Sequence, residues 1–191
     1  MQTNILWTGR EYYSLENCLV DTNSNGTTIT STIIGRYANK IYYVAYKIKT
    51  NYNWETLFFE VHSRHSNQTQ VITCEGDGKG NWKSEGKELV QFKGCIDIDI
   101  PLTPFTNSLP INRLRLSDKQ TQQIEVIYLD LLEQKITAVK QKYTRTSESE
   151  YHYENVPNDF EANIQVDEDG FVVDYPLLFA RTAALKTHYH L

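Results

Sequence analysis

Apolar and polar residues alternate along most of this chain, and a period of two commits a backbone to strands rather than helices. Ile41-Tyr42-Tyr43-Val44-Ala45-Tyr46-Lys47-Ile48 and Leu57-Phe58-Phe59-Glu60-Val61 read this way. So do Gln70-Val71-Ile72-Thr73-Cys74, the run from Ile124 to Leu129, and the run from Lys135 to Lys140. Branched and aromatic side chains pack well on a pleated surface, which suits a chain with 13 tyrosines and a single methionine. Asn25-Gly26, Asp77-Gly78 and Asp169-Gly170 are turn dipeptides that tolerate positive φ. Turn signals of this kind, with no helical period between them, predict one large antiparallel sheet.

One segment interrupts the alternation. Pro101, Pro104 and Pro110 fall within ten residues, and a strand could not use them because proline has no N–H for the ladder. Thr103 before Pro104 is suited to cap a helix. Ser108 before Leu109-Pro110 offers a second start, with Ile111, Leu114 and Arg115 on one face. A helix this short persists only if it packs against the sheet. The fold expected is therefore mainly β: a large antiparallel sheet with a single short helix.

At 191 residues the chain fits one domain, residues 1–191. A formal charge of −5 argues against a nucleic-acid partner, which would want a clustered basic face. No run approaches the ~18 apolar residues of a membrane span. The start, Met1-Gln2-Thr3-Asn4-Ile5-Leu6-Trp7, lacks the basic and apolar regions of a secretory signal, so a cytoplasmic location is expected. Cys18, Cys74 and Cys95 are odd in number and widely spaced, which fits neither a disulfide scaffold nor a zinc module.

Gly94-Cys95-Ile96-Asp97-Ile98-Asp99-Ile100 is the most informative heptapeptide. Alternation puts the three isoleucines on one face and Cys95, Asp97 and Asp99 on the other. The two carboxylates then stand about 7 Å apart, either on a solvated acidic face or in an acidic pocket. In a pocket they would accept hydrogen bonds from sugar hydroxyls or hold a cation. Glycoside hydrolysis would need the pair on opposite sides of the scissile bond, which adjacent same-face positions rarely supply.

Other candidates are weaker. His62 and His65, and His188 and His190, are expected as surface histidines without a third ligand. Asp167-Glu168-Asp169-Gly170 resembles the opening of a calcium loop, but the twelfth position is Leu178, so a tight turn is expected. The strand, acidic turn and downstream aromatic at Asp77 and Trp82 are echoed at Asp167 and Tyr175. No phosphate-cradling loop, dinucleotide fingerprint or nucleophile elbow is present, so no cofactor is expected. Trp7, Trp54, Trp82 and the tyrosines could stack on sugar rings or fill the core.

The block Trp82 … Leu89 … Phe92-Lys93-Gly94-Cys95-Ile96-Asp97-Ile98-Asp99 … Thr103-Pro104-Phe105-Thr106-Asn107-Ser108-Leu109-Pro110-Ile111-Asn112-Arg113-Leu114 resembles the glycolipid-binding family of bacteria, formerly a domain of unknown function. Leu15-Glu16-Asn17-Cys18 is similar to that family's early Glu-x-Cys. Asp169 to Pro176 with Phe179-Ala180-Arg181 is similar to its closing motif, so the likeness covers nearly the whole chain. The resemblance implies one large, strongly curved antiparallel sheet wrapped around a single short helix, a homodimer, and a remote likeness to lipoprotein-carrier folds. It also implies an acidic pocket for a glycolipid or sugar-bearing ligand, with Asp97, Asp99, Arg113, Asn107 and Glu16 as its binding residues. The family pattern has arginine where Asn112 stands, which leaves Arg113 as the cation here.

Three functions follow as alternatives. The leading one is non-catalytic binding of a glycolipid or related amphiphile, with acyl chains in the concavity of the sheet. The second is a hydrolase or transferase using Asp97 and Asp99 as acid and base. The third is a ligand-free dimeric scaffold.

Overall fold

The computed structural model describes residues 1–187, so the expectation for His188 and His190 lies outside the described residues. The first half of the chain is a meander in which β1 (Gln2–Gly9), β2 (Ser14–Asn23), β3 (Gly26–Tyr37), β4 (Lys40–Thr50), β5 (Thr56–His65) and β6 (Gln68–Gly76) pair in order. Two short strands, β7 (Trp82–Ser84) and β8 (Lys87–Glu88), carry it to one edge. The opposite edge is β9 (Asp97–Asp99), followed by α1 (Ser108–Leu114). A second meander then runs through β10 (Thr121–Asp130), β11 (Lys135–Ser147), β12 (Glu150–Val156), β13 (Glu161–Val166), β14 (Val172–Tyr175) and β15 (Phe179–Thr187). β15 pairs antiparallel with β1, Gln2 opposite Thr187 and Gly9 opposite Phe179, and joins the halves into one sheet of fifteen strands.

The expected curved antiparallel sheet with one short helix is what forms, with one parallel exception. β9 runs parallel to β10, Asp97 opposite Val126 and Asp99 opposite Tyr128. A parallel pair needs a crossover, and here the proline-rich segment and α1 provide it. The Pro101–Pro110 stretch stays off the ladder because three of its residues cannot donate to it.

Alternation in the strands is read out directly as burial. In β4, Tyr42, Val44, Tyr46 and Ile48 point inward while Ile41 and Tyr43 face out. The same period of two separates His62 from His65: a step of three crosses the strand, so His62 is exposed and His65 is buried. His65 is thus not the surface residue expected. The polar stretch from Thr144 to Glu150 is strand as far as Ser147, where β11 ends before the turn.

The apolar residues gather in two clusters. The larger spans Trp7, Ile33, Phe59, Ile98, Phe105 and Leu109, and the smaller lies around Ile111, Tyr143, Ile164 and Val172. Each fully buried aliphatic or aromatic side chain contributes roughly 1.5–3 kcal/mol, so these clusters dominate the stability of the fold. They also fill the concavity. Phe105, Leu109, Ile100 and Leu102 are all essentially inaccessible, so side chains pack the concavity around the helix.

Seven residues of helix cannot stand alone, and α1 is held by burying Leu109 and Ile111. Thr103 accepts the Phe105 N–H at 3.0 Å and starts a 3₁₀ turn over Phe105–Asn107 that leads into the helix. Arg115 is not on the packed face, because its left-handed φ of 46° ends the helix.

β8 and β9 are near neighbours in the chain yet lie at opposite edges, so the sheet curls back on itself without closing into a barrel. Two hydrogen bonds stitch the seam. Trp82 Nε1 donates to the Cys95 carbonyl at 2.6 Å, and the Gly94 N–H donates to the Gly80 carbonyl at 2.9 Å. The backbones approach so closely that a Cβ on Gly80 (φ +83°) would lie 2.7 Å from Gly94 Cα.

Candidate functional site

The site is built where the edge strand meets the crossover. β9 carries Asp97 and Asp99 on one face, as the alternation predicts, but that face is roofed by the 3₁₀ turn and α1 rather than solvated. Both sides of the strand are covered, since Ile98 and Ile100 sit in the core on the other.

Asp97 is completely buried and gripped by Arg113 from α1. Nη2 donates to Oδ2 at 2.6 Å, and Nε lies 3.1 Å from each oxygen. Burial pushes this carboxyl upward against the pull of the guanidinium. Asp99 accepts the Thr106 hydroxyl on Oδ1 at 3.0 Å and the Gln141 amide on Oδ2 at 2.6 Å. Its carboxyl is raised by burial, with those two bonds opposing. Asn107 accepts the Tyr143 hydroxyl at 3.0 Å and donates to the Pro104 carbonyl.

Glu16 lies deeper, on the inner face of β2. Its Oε1 accepts hydroxyls from Ser31, Tyr46 and Thr103 at 2.7, 2.7 and 2.9 Å, while Oε2 is buried with no hydrogen-bond partner among the described residues. Burial raises this carboxyl to about 7, the three hydroxyls opposing.

A cavity of about 260 Å³ opens beside this construction. Asp99, Thr103 and Asn107 form one wall, and Tyr12, Tyr128, Tyr153, Tyr175 and Phe179 supply aromatic faces. Glu11 stands at its exposed rim. A second hollow of about 320 Å³, lined by Gln141, Lys140 and Pro157, adjoins it through the shared residues Tyr128, Tyr153 and Asn155. Asn155 donates to Asp159, but its own Oδ1 is buried with no partner among the described residues. The four cavity tyrosines are raised by burial first, with Asp99 adding to the effect, so their phenols stay neutral.

Of the residues singled out from sequence, Asp99 and Asn107 line the cavity. Asp97 and Arg113 form a pair beneath it, and Glu16 reaches it only through Thr103. Asn112 donates to the Ser108 carbonyl and abuts Gly170, so it docks the helix on the turn between β13 and β14. Asn155 and Gln141 were not among the residues expected from sequence, and the tyrosines were expected only as a group, to stack on sugar rings or fill the core. Tyrosine abundance was the available signal, but it does not say which tyrosines face a cavity.

The other candidates resolve as structure. Asp167 caps its turn through Asp169 and Phe171 N–H groups and pairs with Arg181. Asp77 does the same with Lys79 and Asn81, so the sequence echo corresponds to shared turn geometry. All three cysteines are free and buried, and burial raises the Cys95 thiol to about 11, which suits packing rather than nucleophilic attack. Among the described residues, no helix is long and apolar enough to cross a membrane.

A family model described as "Putative glycolipid-binding" matches residues 4–181. A crystal structure of a DUF1089 family protein from Pseudomonas aeruginosa superposes with a TM-score of 0.79 at 31% identity, over 87% of this chain and 91% of that one. No curated protein shows a significant match. With nearly its full length matched by one family model, and a solved relative that agrees in fold, the chain belongs to the family described as "Putative glycolipid-binding".

Proposed function

We propose that the protein binds, without turning over, the sugar headgroup of a glycolipid or related amphiphile in the tyrosine-walled cavity beside Asp99. The observation that carries this reading is the combination of aromatic faces with Asn155 Oδ1, a buried acceptor that lacks a donor among the described residues. A sugar offers apolar C–H faces to stack on tyrosine and hydroxyls to donate to Asn155 and to the remaining lone pairs of Asp99. A volume of about 260 Å³ is at the small end of ligand pockets, so it suits a headgroup rather than a whole lipid. The acyl chains would remain outside, where Leu177, Tyr13 and Phe160 are exposed on loops near the mouth.

Binding is favoured over hydrolysis by the state of Asp97. Sealed under Arg113, it cannot act with Asp99 as an acid and base pair on a substrate. For the homodimer that the family resemblance implies, the outer face offers a cross-strand row of Leu15, Ile34 and Tyr43, all exposed. Sedimentation of Ile34→Lys against the parent protein tests that surface, and an unchanged mass for both removes it.

The test of the binding reading begins with native mass spectrometry and organic extraction of gently purified protein. Octyl glucoside below its critical micelle concentration is then titrated in by NMR. Asp99→Asn and Asn155→Leu should weaken binding about tenfold or more while the thermal midpoint holds. Unchanged binding in both variants, or shifts confined to residues away from the cavity, would refute the assignment.

A further inference from the structure

Away from the cavity, on the outer face of β12 and β13, a histidine and two glutamates converge. We propose that His152, Glu154 and Glu161 form a binding site for a divalent ion of the zinc class. His152 and Glu154 are two residues apart on β12 and so share a face, and Glu161 is the cross-strand partner of Glu154. The nearest donor atoms of the three side chains lie within 4.8 Å of one another. His152 Nε2 stands 3.9 Å from Glu154 Oε2 and 3.7 Å from Glu161 Oε2. Two ligands each about 2.0–2.2 Å from one zinc ion stand no more than about 4.4 Å apart. Both histidine-to-carboxylate separations are therefore already within reach, and a small rotation of the exposed Glu161 closes the rest.

Each of two ligands is aimed by a neighbouring amide. His152 Nδ1 lies 2.7 Å from Asn163 Oδ1, an acceptor, and in the tautomer that donates from Nδ1 to it the Nε2 lone pair faces the carboxylates. Asn158 Nδ2 donates to Glu161 Oε2 at 2.9 Å. This outer layer of orienting groups is the arrangement metal-bound histidines use. One imidazole with two carboxylates selects a borderline ion over calcium or magnesium, which prefer oxygen throughout. A competing cation stands beside the site: Lys142 Nζ sits 2.7 Å from Glu154 Oε2, so a metal must share or displace it.

That lysine makes the test two-sided. Zinc chloride is titrated into the full chain by calorimetry, with magnesium chloride as the hard-ion control. A one-to-one site is expected, weakened about 100-fold by His152→Asn or Glu161→Gln and about tenfold by Asn163→Ala. Lys142→Gln should tighten it. His62→Asn, and His188→Asn with His190→Asn, should leave it unchanged, and a rise of the thermal midpoint with zinc should vanish in Glu161→Gln. Zinc binding that survives both ligand substitutions, binding lost only with His188 and His190, or no binding even in Lys142→Gln would overturn the proposal.

Discussion

The Thr103 hydroxyl donates to Glu16 Oε1 at 2.9 Å, so a residue of the cavity wall is tied directly to a carboxyl sealed in the core. Glu16 is raised to about 7 from an ordinary value of 4.5. Between those pH values the unfolded chain releases a proton that the folded chain keeps, so stability falls as pH rises through this window and levels off above it. The full effect is about 3 kcal/mol at most. Urea denaturation at pH 5 and pH 8 should show that loss in the parent protein, and Glu16→Gln should lose markedly less. If the two proteins share one slope, Glu16 does not titrate in this range.

Removing Arg113 strands a buried carboxylate. Arg113→Ala should cost about 3 kcal/mol or more, and Asp97→Leu combined with Arg113→Met should be less damaging than the arginine change alone. Equilibrium denaturation of the three variants decides it. Equal losses in the single and double variants would mean that the pair carries no special penalty.

Tyr143→Phe removes the hydroxyl that satisfies Asn107 Oδ1 inside the fold. A loss of about 1–3 kcal/mol is expected, with a shift of the Asn107 side-chain amide resonances. A silent variant would show that another donor takes the place of the phenol.

At the seam, Gly80→Ala puts a methyl group against the Gly94 backbone in a left-handed conformation. Destabilisation of at least about 1 kcal/mol is expected, together with faster amide exchange in the Asp97–Asp99 strand. Protection of that strand identical to the parent's would disconnect the seam from the site.

The strands were legible because each has two faces in different surroundings: Tyr42, Val44, Tyr46 and Ile48 against the core, their neighbours against water. Thr103 marked the 3₁₀ turn for a local reason, since its hydroxyl accepts an N–H only two residues on, whereas Ser108 begins the helix without capping it: Asn107 holds the N-cap position and Ser108 Oγ has no partner among the described residues. The site was only half legible. Spacing could place Asp97 and Asp99 on one face but not reveal that α1 roofs it, since Arg113 comes from 16 residues away and Gln141 from 42 residues beyond Asp99. Asn155 and the cluster around His152 depend on cross-strand register, which alternation within one strand does not encode.

The unclosed seam bears on how such a wide sheet stays out of trouble. An open sheet normally presents two rows of unpaired backbone groups on which another chain can template and grow an aggregate. Here the terminal strands are only two and three residues long, and Trp82 and Gly94 bind the segments beside them to each other. The molecule obtains much of a barrel's protection from edge-to-edge polymerisation while keeping one margin free to carry a helix and a cavity.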